Sequence, residues 1–503
     1  MLLEVLAATP IILVILLLFL FRKPLVFASP ITFIYTLLLG AYYWQVRPVI
    51  LVGSVAKGFL VAVDIIIIIF GALVFLEFLK KTGLLESIEY YLSRISPDKR
   101  IQMIILAWFL GSFIEGTAGF GTPAAIVAPL LVGLGFPAIT SVAVALIANS
   151  TAVAFGAVGT PIRIGFEGLE VTGVAQQAGL INLFAGAIIP VMLLFVLVYG
   201  VEKRFSRNIT EAVPFALWAG FCLTIPYYFF TFLGQEFPSL LGPLVGLVLV
   251  SLTTKLGWFV PKNTWTISDA KKKISLHGKE PLLKVFMPYI LLIGFLIIGK
   301  FTLTSYPFTV SGPITHSLNP YNPGFAFLLA LVVYSLLYNV SFANIAMSAK
   351  QTVKILLVPF TVIFFIAGFV QLMMHSGNNY SGLASMINIL AGLIEVKALP
   401  FLAPFIGGFG SFIAGSATVS NLLFGQFQAT AAANLGLSVA SILALQLVGA
   451  GIGNMLALTN IVAAQATVKL KNREAEIFLK TLIPSIIYAV IAGIIGLILV
   501  YVF

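Results

Sequence analysis

The sequence predicts an all-α polytopic membrane protein built from two inverted-topology repeats with broken helices, and three observations lead there. Of 503 residues, 60% are hydrophobic and only 9% charged, against roughly 25% charged in an average soluble domain. Runs such as 5–21, 180–199 and 481–503 are long enough to span a bilayer, which takes about 20 apolar residues. Finally, GSFIEGTA at 111–118 recurs as GSFIAGSA at 410–417, identical at six of eight positions.

The first run, 5–21, lacks a basic start and a small-residue cleavage site, and its charges, Arg22 and Lys23, follow it. It reads as a first span and not as a signal peptide. Basic residues gather in short loops at 22–23, 80–100, 203–207, 255–284, 350–354 and 469–480, whereas 304–322 has no Lys or Arg. Placing the basic set in the cytoplasm gives spans near 5–21, 25–45 and 58–79, then an odd number of crossings within 101–162. Spans follow near 180–200, 212–232, 240–258, 285–303, 323–340 and 352–374, then a crossing within 398–468 and a last span at 481–503. The expected location is the cell (plasma) membrane, with both termini outside.

The net charge of +11 belongs to those loops, so no nucleic-acid partner is expected. A single cysteine, Cys222, excludes an intrachain disulfide and a cysteine metal cluster, and His277, His316 and His375 lack metal-ligand spacing. Neither a metal nor a cofactor is expected.

The repeat divides the chain into a first unit, 1–200, with its broken-helix core at 101–165, and a second, 285–503, with its core at 398–468. A linking helix pair and basic cytoplasmic loop occupy 201–284. One core starts from the inside and the other from the outside, which makes the repeats inverted. Gly/Pro-interrupted segments at matching positions of such repeats point to the binding site of a secondary transporter.

Within 101–162 the only charged residue is Glu115, and 398–468 has none. Both cores are rich instead in Gly, Ser, Thr, Asn and Gln. Irregular backbone at membrane depth is tolerated where it lines a watery cavity, and the N–H groups of a restarting helix favour an anion. The substrate-binding candidates in the first core are Gly116, Thr117, Gly119, Gly121, Thr122, Asn149, Ser150, Thr151, Thr160 and Arg163. In the second they are Gly415, Ser416, Thr418, Ser420, Asn421, Asn454 and Asn460. Small residues also let helices pack closely, which is the better reading of Gly133 and Gly135.

Glu115, whose repeat mate is Ala414, is either held by the free N–H groups of its own break or takes and releases a proton as the site alternates. Asp64 is a second proton-coupling candidate, alone in an apolar run; its structural alternative is a pair with Lys57 at i−7. Arg163 either anchors the chain at the interface by snorkelling or attracts an anion. His375 reads as an outer-loop residue.

ISPDKRIQM (95–103), FIEGTAGFGTPAAI (113–126), LLVGLGF (130–136) and NSTAVAFGAVGTPI (149–162) resemble the L-lactate permease family, as do YSGLAS (380–385) and GSATVSNLLFGQFQATAA (415–432). The resemblance runs through nearly the whole chain in the same order. It implies a proton symporter for lactate and small 2-hydroxymonocarboxylates such as glycolate. It also implies a re-entrant hairpin in each repeat, a scaffold plus an elevator-like transport domain, and a homodimer in the lipid bilayer. The chain departs from the family pattern at Ala417, where an acid is usual, at Asn454, where a lysine is usual, and in LALTN (456–460). Arg163 and Asp64 are charges that the pattern does not lead one to expect.

The alternative within transport is another small anion (acetate, glycolate or an inorganic oxyanion), with sodium as the alternative coupled ion. An intramembrane enzyme would need clustered His, Asp, Cys or a Ser–Lys pair at depth, which neither core supplies. A passive channel would conduct without saturation or counter-flow.

Overall fold

A computed structural model describes residues 2–119, 121–267 and 280–502. Among these the chain is almost entirely helical. Eight helices are long and apolar enough to cross a membrane, or ten if two bent pairs each count as a span. His277 and the middle of the basic 255–284 loop lie outside the described residues.

The span expected at 58–79 is the core of a longer helix, Pro48–Lys81, with proline in its first turn and Lys80–Lys81 in its last. Its 34 residues extend about 51 Å at 1.5 Å per residue. Helix Pro323–Tyr338 crosses it at a backbone contact: a Cβ on Gly71 would lie 2.3 Å from the Gly324 carbonyl. That approach needs glycine on both helices, the small-residue packing of membrane bundles. Arg100, at the end of a basic loop, is fully buried. It donates to Asp98 and to the carbonyls of Asn208 (2.7 Å) and Asn263 (2.6 Å), fastening the loops at the start of the first core.

Each half carries the same succession. In the first, helix Lys99–Met103 continues through a π-helical stretch, Ile104–Leu110, into Gly111–Thr117, and Thr122–Gly133 turns back beside it. The next helix is bent by 51°, as Ala138–Asn149 and Ala152–Arg163, and the long helix Val174–Glu202 follows. In the second half the hairpin is Leu399–Ala414 and Ala417–Asn434. The bent pair is Val439–Asn454 and Leu458–Thr467, at 42°, followed by Glu474–Tyr501.

The segment 304–322, which lacks Lys and Arg and so falls on the outer side by the sequence reading, contains a β-hairpin of Tyr306–Ser311 and Ile314–Leu318. Ser311 Oγ donates to the Val49 carbonyl at 2.8 Å, docking it on the start of the long helix. Large apolar side chains such as Phe27, Ile34, Val52, Phe229, Leu252, Ile298 and Ile483 are exposed along the outer helices. A soluble monomer could not carry that much exposed apolar surface.

Candidate functional site

The two hairpin tips and the two bends converge on one small cavity of about 40 Å³, lined by Glu115, Gly119, Gly121, Val153, Gly156, Ala157, Thr160, Pro161, Gly415, Ser416, Ala417, Thr418 and Asn454. On a scale of roughly 10–15 Å³ per water, it has room for a few waters. Its lining contains one carboxylate and no lysine, arginine or histidine.

The first tip forms because Gly119 (φ +56°) and Gly121 (φ +78°) take left-handed conformations open chiefly to glycine. Thr122 Oγ1 closes the turn on the Gly119 carbonyl at 2.7 Å. Glu115, 4% exposed, lies in the last turn before it. Asn149 Nδ2 donates to Glu115 Oε2 at 2.9 Å. The other carboxylate oxygen sits against the bend: a Cβ on Gly156 would be 2.3 Å from Glu115 Oε1.

Past Gly156 the backbone is left-handed at three consecutive residues, Ala157 (φ 41°, ψ 56°), Val158 (56°, 46°) and Gly159 (77°, 14°). For an L-residue this costs roughly 1–2 kcal/mol, and β-branched Val158 is a genuine outlier. Burial of Val158, fully enclosed, holds it there. The bend also strands backbone carbonyls, and side chains from other helices take them up. Tyr227 Oη donates to the Thr151 carbonyl (2.8 Å), Ser239 Oγ to Ala152 (2.7 Å) and Asn421 Nδ2 to Pro161 (2.9 Å). Tyr227→Phe leaves the Thr151 carbonyl buried without that donor, a cost of about 1–3 kcal/mol. A lower melting temperature with an unchanged pH profile of transport is the expected result; an unchanged melting temperature would refute this role.

At the second tip Gly415 is left-handed (φ +70°), and Ser416 Oγ caps helix Ala417–Asn434 by accepting from Val419 N. Asn460 Nδ2 donates across the second bend to the carbonyl and Oδ1 of Asn454, at 3.0 and 2.7 Å. Asn460 Oδ1 lies near both tips, 3.6 Å from a Cβ placed on Gly121 and 3.8 Å from one on Gly415.

Of the sequence candidates, Glu115, Gly119, Gly121, Thr160, Gly415, Ser416, Thr418 and Asn454 line the cavity, with Asn149 and Asn460 beside it. The others serve the fold around it. Gly116 packs on the Ser239 backbone; Thr117 and Ser150 hydroxyls return to their own helices; Thr151 Oγ1 meets Tyr488 Oη at 3.0 Å. Ser420 donates to the Gly407 carbonyl and, with Asn421, accepts from Gln446. Gln446 and its partner Gln428 (2.5 Å) were not among the sequence candidates, although two uncharged amides in apolar runs were a usable signal. Ala417 and Asn454, two of the departures from the family pattern, face this cavity together.

Asp64 and Arg163 belong to a second, polar cavity of about 300 Å³. Asp64 and Lys57 do not pair with each other. Lys57 Nζ donates to Glu167 Oε1 (2.6 Å) and contacts His316 Nδ1 (3.0 Å), while His316 Nε2 meets Asp64 Oδ2 at 3.2 Å. Burial favours the neutral form of Glu167, but bonds from His316 and Lys57 outweigh it and hold its pKa below the usual carboxylate value. Arg163 donates to Glu236 (2.6 Å) and to the Tyr321 carbonyl (2.9 Å), and Lys300 also reaches Glu236. His375 closes helix Leu357–His375, its Nδ1 3.0 Å from the Gln371 carbonyl. Among the described residues no group of His, Cys, Asp and Glu is arranged to hold a metal ion.

The family model described as L-lactate permease matches residues 4–316 and 309–503. A putative L-lactate permease of Haemophilus influenzae is 31% identical, over 93% of each chain. The L-lactate permease of Escherichia coli (strain K12) is 30% identical over 90% of this chain and 87% of its own. Glycolate permease GlcA of the same strain is 27% identical over 95% and 92%. Its relatives are permeases, not enzymes, and the chain belongs to the L-lactate permease family.

Proposed function

We propose that this protein carries lactate, or a related small 2-hydroxymonocarboxylate, together with a proton, and that Glu115 is the proton-coupling group. The charge content of the cavity carries this reading: one buried carboxylate and no cationic side chain. A substrate anion entering beside ionised Glu115 meets a like charge. At 4 Å and an effective dielectric near 20, that repulsion is about 4 kcal/mol, or roughly three orders of magnitude in affinity. A proton on Glu115 removes the repulsion and turns an acceptor into a donor, so proton and anion bind as a pair. First-turn N–H groups of helix Ala417–Asn434, with Ser416, Thr418 and Asn454, supply the remaining donors without adding fixed charge. The small cavity suits acids of lactate or glycolate size, the substrates named for the relatives.

In this reading 1–200 and 285–503 are inverted repeats linked by 201–284, and their hairpins are re-entrant. The cores 101–165 and 398–468 move as an elevator-like body against a scaffold, in a homodimer in the plasma membrane with both termini outside. The shared succession of hairpin, bent pair and long helix supports it. The test is uptake of labelled L-lactate, with glycolate in parallel, into proteoliposomes under an inward proton gradient, with and without sodium. Uptake that collapses with the proton gradient is expected. Uptake that follows sodium and ignores protons would replace the coupling ion, and a response to neither would leave a passive pathway.

A further inference from the structure

The polar cavity lies at the other end of helix Gly156–Arg163 from Glu115: Gly156 abuts the Glu115 carboxylate, while Arg163 lines the cavity beside Lys57, Asp64, Glu167 and His316. We infer that His316, clasped there between Asp64, Lys57 and Glu167, is a second proton-binding station of the carrier, through which the pH of this cavity reaches the substrate site. The inference rests on the proton-symport reading above.

His316 is 6% exposed. With a neutral ring every contact pairs a donor with an acceptor: Lys57 Nζ donates to Nδ1 and to Glu167, and Nε2–H donates to Asp64. A proton on Nδ1 turns that atom into a donor 3.0 Å from an ammonium. The ring and Lys57 must then separate, and Nδ1–H finds Glu167 Oε1, now 3.8 Å away. Proton uptake therefore rearranges the contacts of Glu167. That residue lies in the turn closing helix Gly156–Arg163, where Phe166 N donates to the Ile162 carbonyl and Glu167 N to Ile164. A short stretch of backbone, 156–167, thus joins the station to the residue that packs on Glu115 by way of the buried left-handed kink at 157–159, a physical route for coupling.

The charged groups facing the imidazole are Lys57 and Asp64 from helix Pro48–Lys81 and Glu167 from the turn, with Phe308 edge-on from its own hairpin. Arg163, in the same cavity, is engaged by Glu236. Burial pulls the imidazole pKa down, but bonds to Asp64 and Glu167 outweigh it, against opposition from Lys57, and the net shift is upward. A raised folded-state pKa gives stability that is fully present below the unfolded value of about 6.5 and is lost as pH rises through the folded value. The docked hairpin is therefore firmest in acid.

The test uses proteoliposomes with labelled L-lactate as the probe, comparing wild type with His316→Gln, which keeps one donor and one acceptor. Across roughly pH 5–8 in the compartment facing the cavity, where imidazoles titrate, wild-type driven uptake should change by about tenfold. His316→Gln keeps only the dependence that Glu115 itself imposes, so its change over the same imidazole range should be several-fold smaller, and it should still perform lactate counterflow. A variant that follows the wild-type pH profile overturns the inference. Wild-type uptake indifferent to protons overturns the symport reading instead, and the station is then judged by melting temperature alone. Purified wild type should melt higher near pH 6 than near pH 8, and His316→Gln should lose that difference; a retained difference removes the station. If His316→Gln does not fold, Asp64→Asn should move the pH midpoint of uptake toward acid, and an unmoved midpoint counts against the proposal.

Discussion

Glu115→Gln is expected to abolish accumulation of L-lactate against its gradient while preserving lactate–lactate exchange across the same vesicles. The amide keeps the length of the side chain and an oxygen able to accept from Asn149 Nδ2, so the hydrogen bond that now measures 2.9 Å survives. What it loses is the ability to gain and shed a proton. The mutant cavity is permanently uncharged, as the wild-type cavity is only when Glu115 is protonated. The anion should therefore bind it without the pH dependence that ionisation of residue 115 imposes. Wild-type affinity should fall as the carboxylate ionises, toward the limit of roughly three orders of magnitude set by about 4 kcal/mol of like-charge repulsion. Accumulation ratios settling at unity, beside exchange within a few-fold of wild type, is the outcome to look for. Unimpaired gradient-driven accumulation in Glu115→Gln would take the coupling away from this residue and leave the His316 cluster to account for it.

How much of this could be read beforehand depended on what each residue contrasts with. Glu115 stood out because 101–162 holds no other charge, and the tips stood out because Gly-x-Gly and Gly-Ser interrupt apolar runs that should otherwise be continuous helix. Pairing was not legible. Asp64 lies seven positions after Lys57, about 10 Å along a helix, and each is taken by a group from a distant segment, Glu167 and His316. Segment 304–322 was read only for its lack of Lys and Arg, yet the alternation in Tyr306–Ser311 and the Gly-Pro turn at 312–313 were hairpin signals. The hydroxyl candidates divided on a point that sequence cannot carry. Whether a threonine faces a ligand or its own backbone depends on carbonyls left over at a bend. Those at Thr151, Ala152 and Pro161 are claimed by Tyr227, Ser239 and Asn421, which lie 76, 87 and 260 residues away.

Gly156 was absent from the sequence candidates, and it supplies the sharpest steric test of the site. Its backbone is extended (φ −62°, ψ 156°), so alanine meets no conformational strain there. The added methyl would lie 2.3 Å from Glu115 Oε1, 3.1 Å from Cδ and 3.3 Å from Cγ. The carboxylate, at the free end of its side chain, is what must move. An off-rotamer displacement costs about 0.5–1.5 kcal/mol, so Gly156→Ala should fold and melt nearly as wild type does. Driven uptake should nonetheless fall at least tenfold, since about 1.4 kcal/mol of lost positioning suffices for that. Glu115→Asp withdraws the carboxylate by one methylene and should also be impaired. Combined with Gly156→Ala, the shorter acid makes room for the methyl, and the double variant should exceed the product of the two single losses by several-fold, the signature of residues in direct contact. Losses that simply multiply would mean that Gly156 does not position Glu115, and that the left-handed turn following it serves the fold alone.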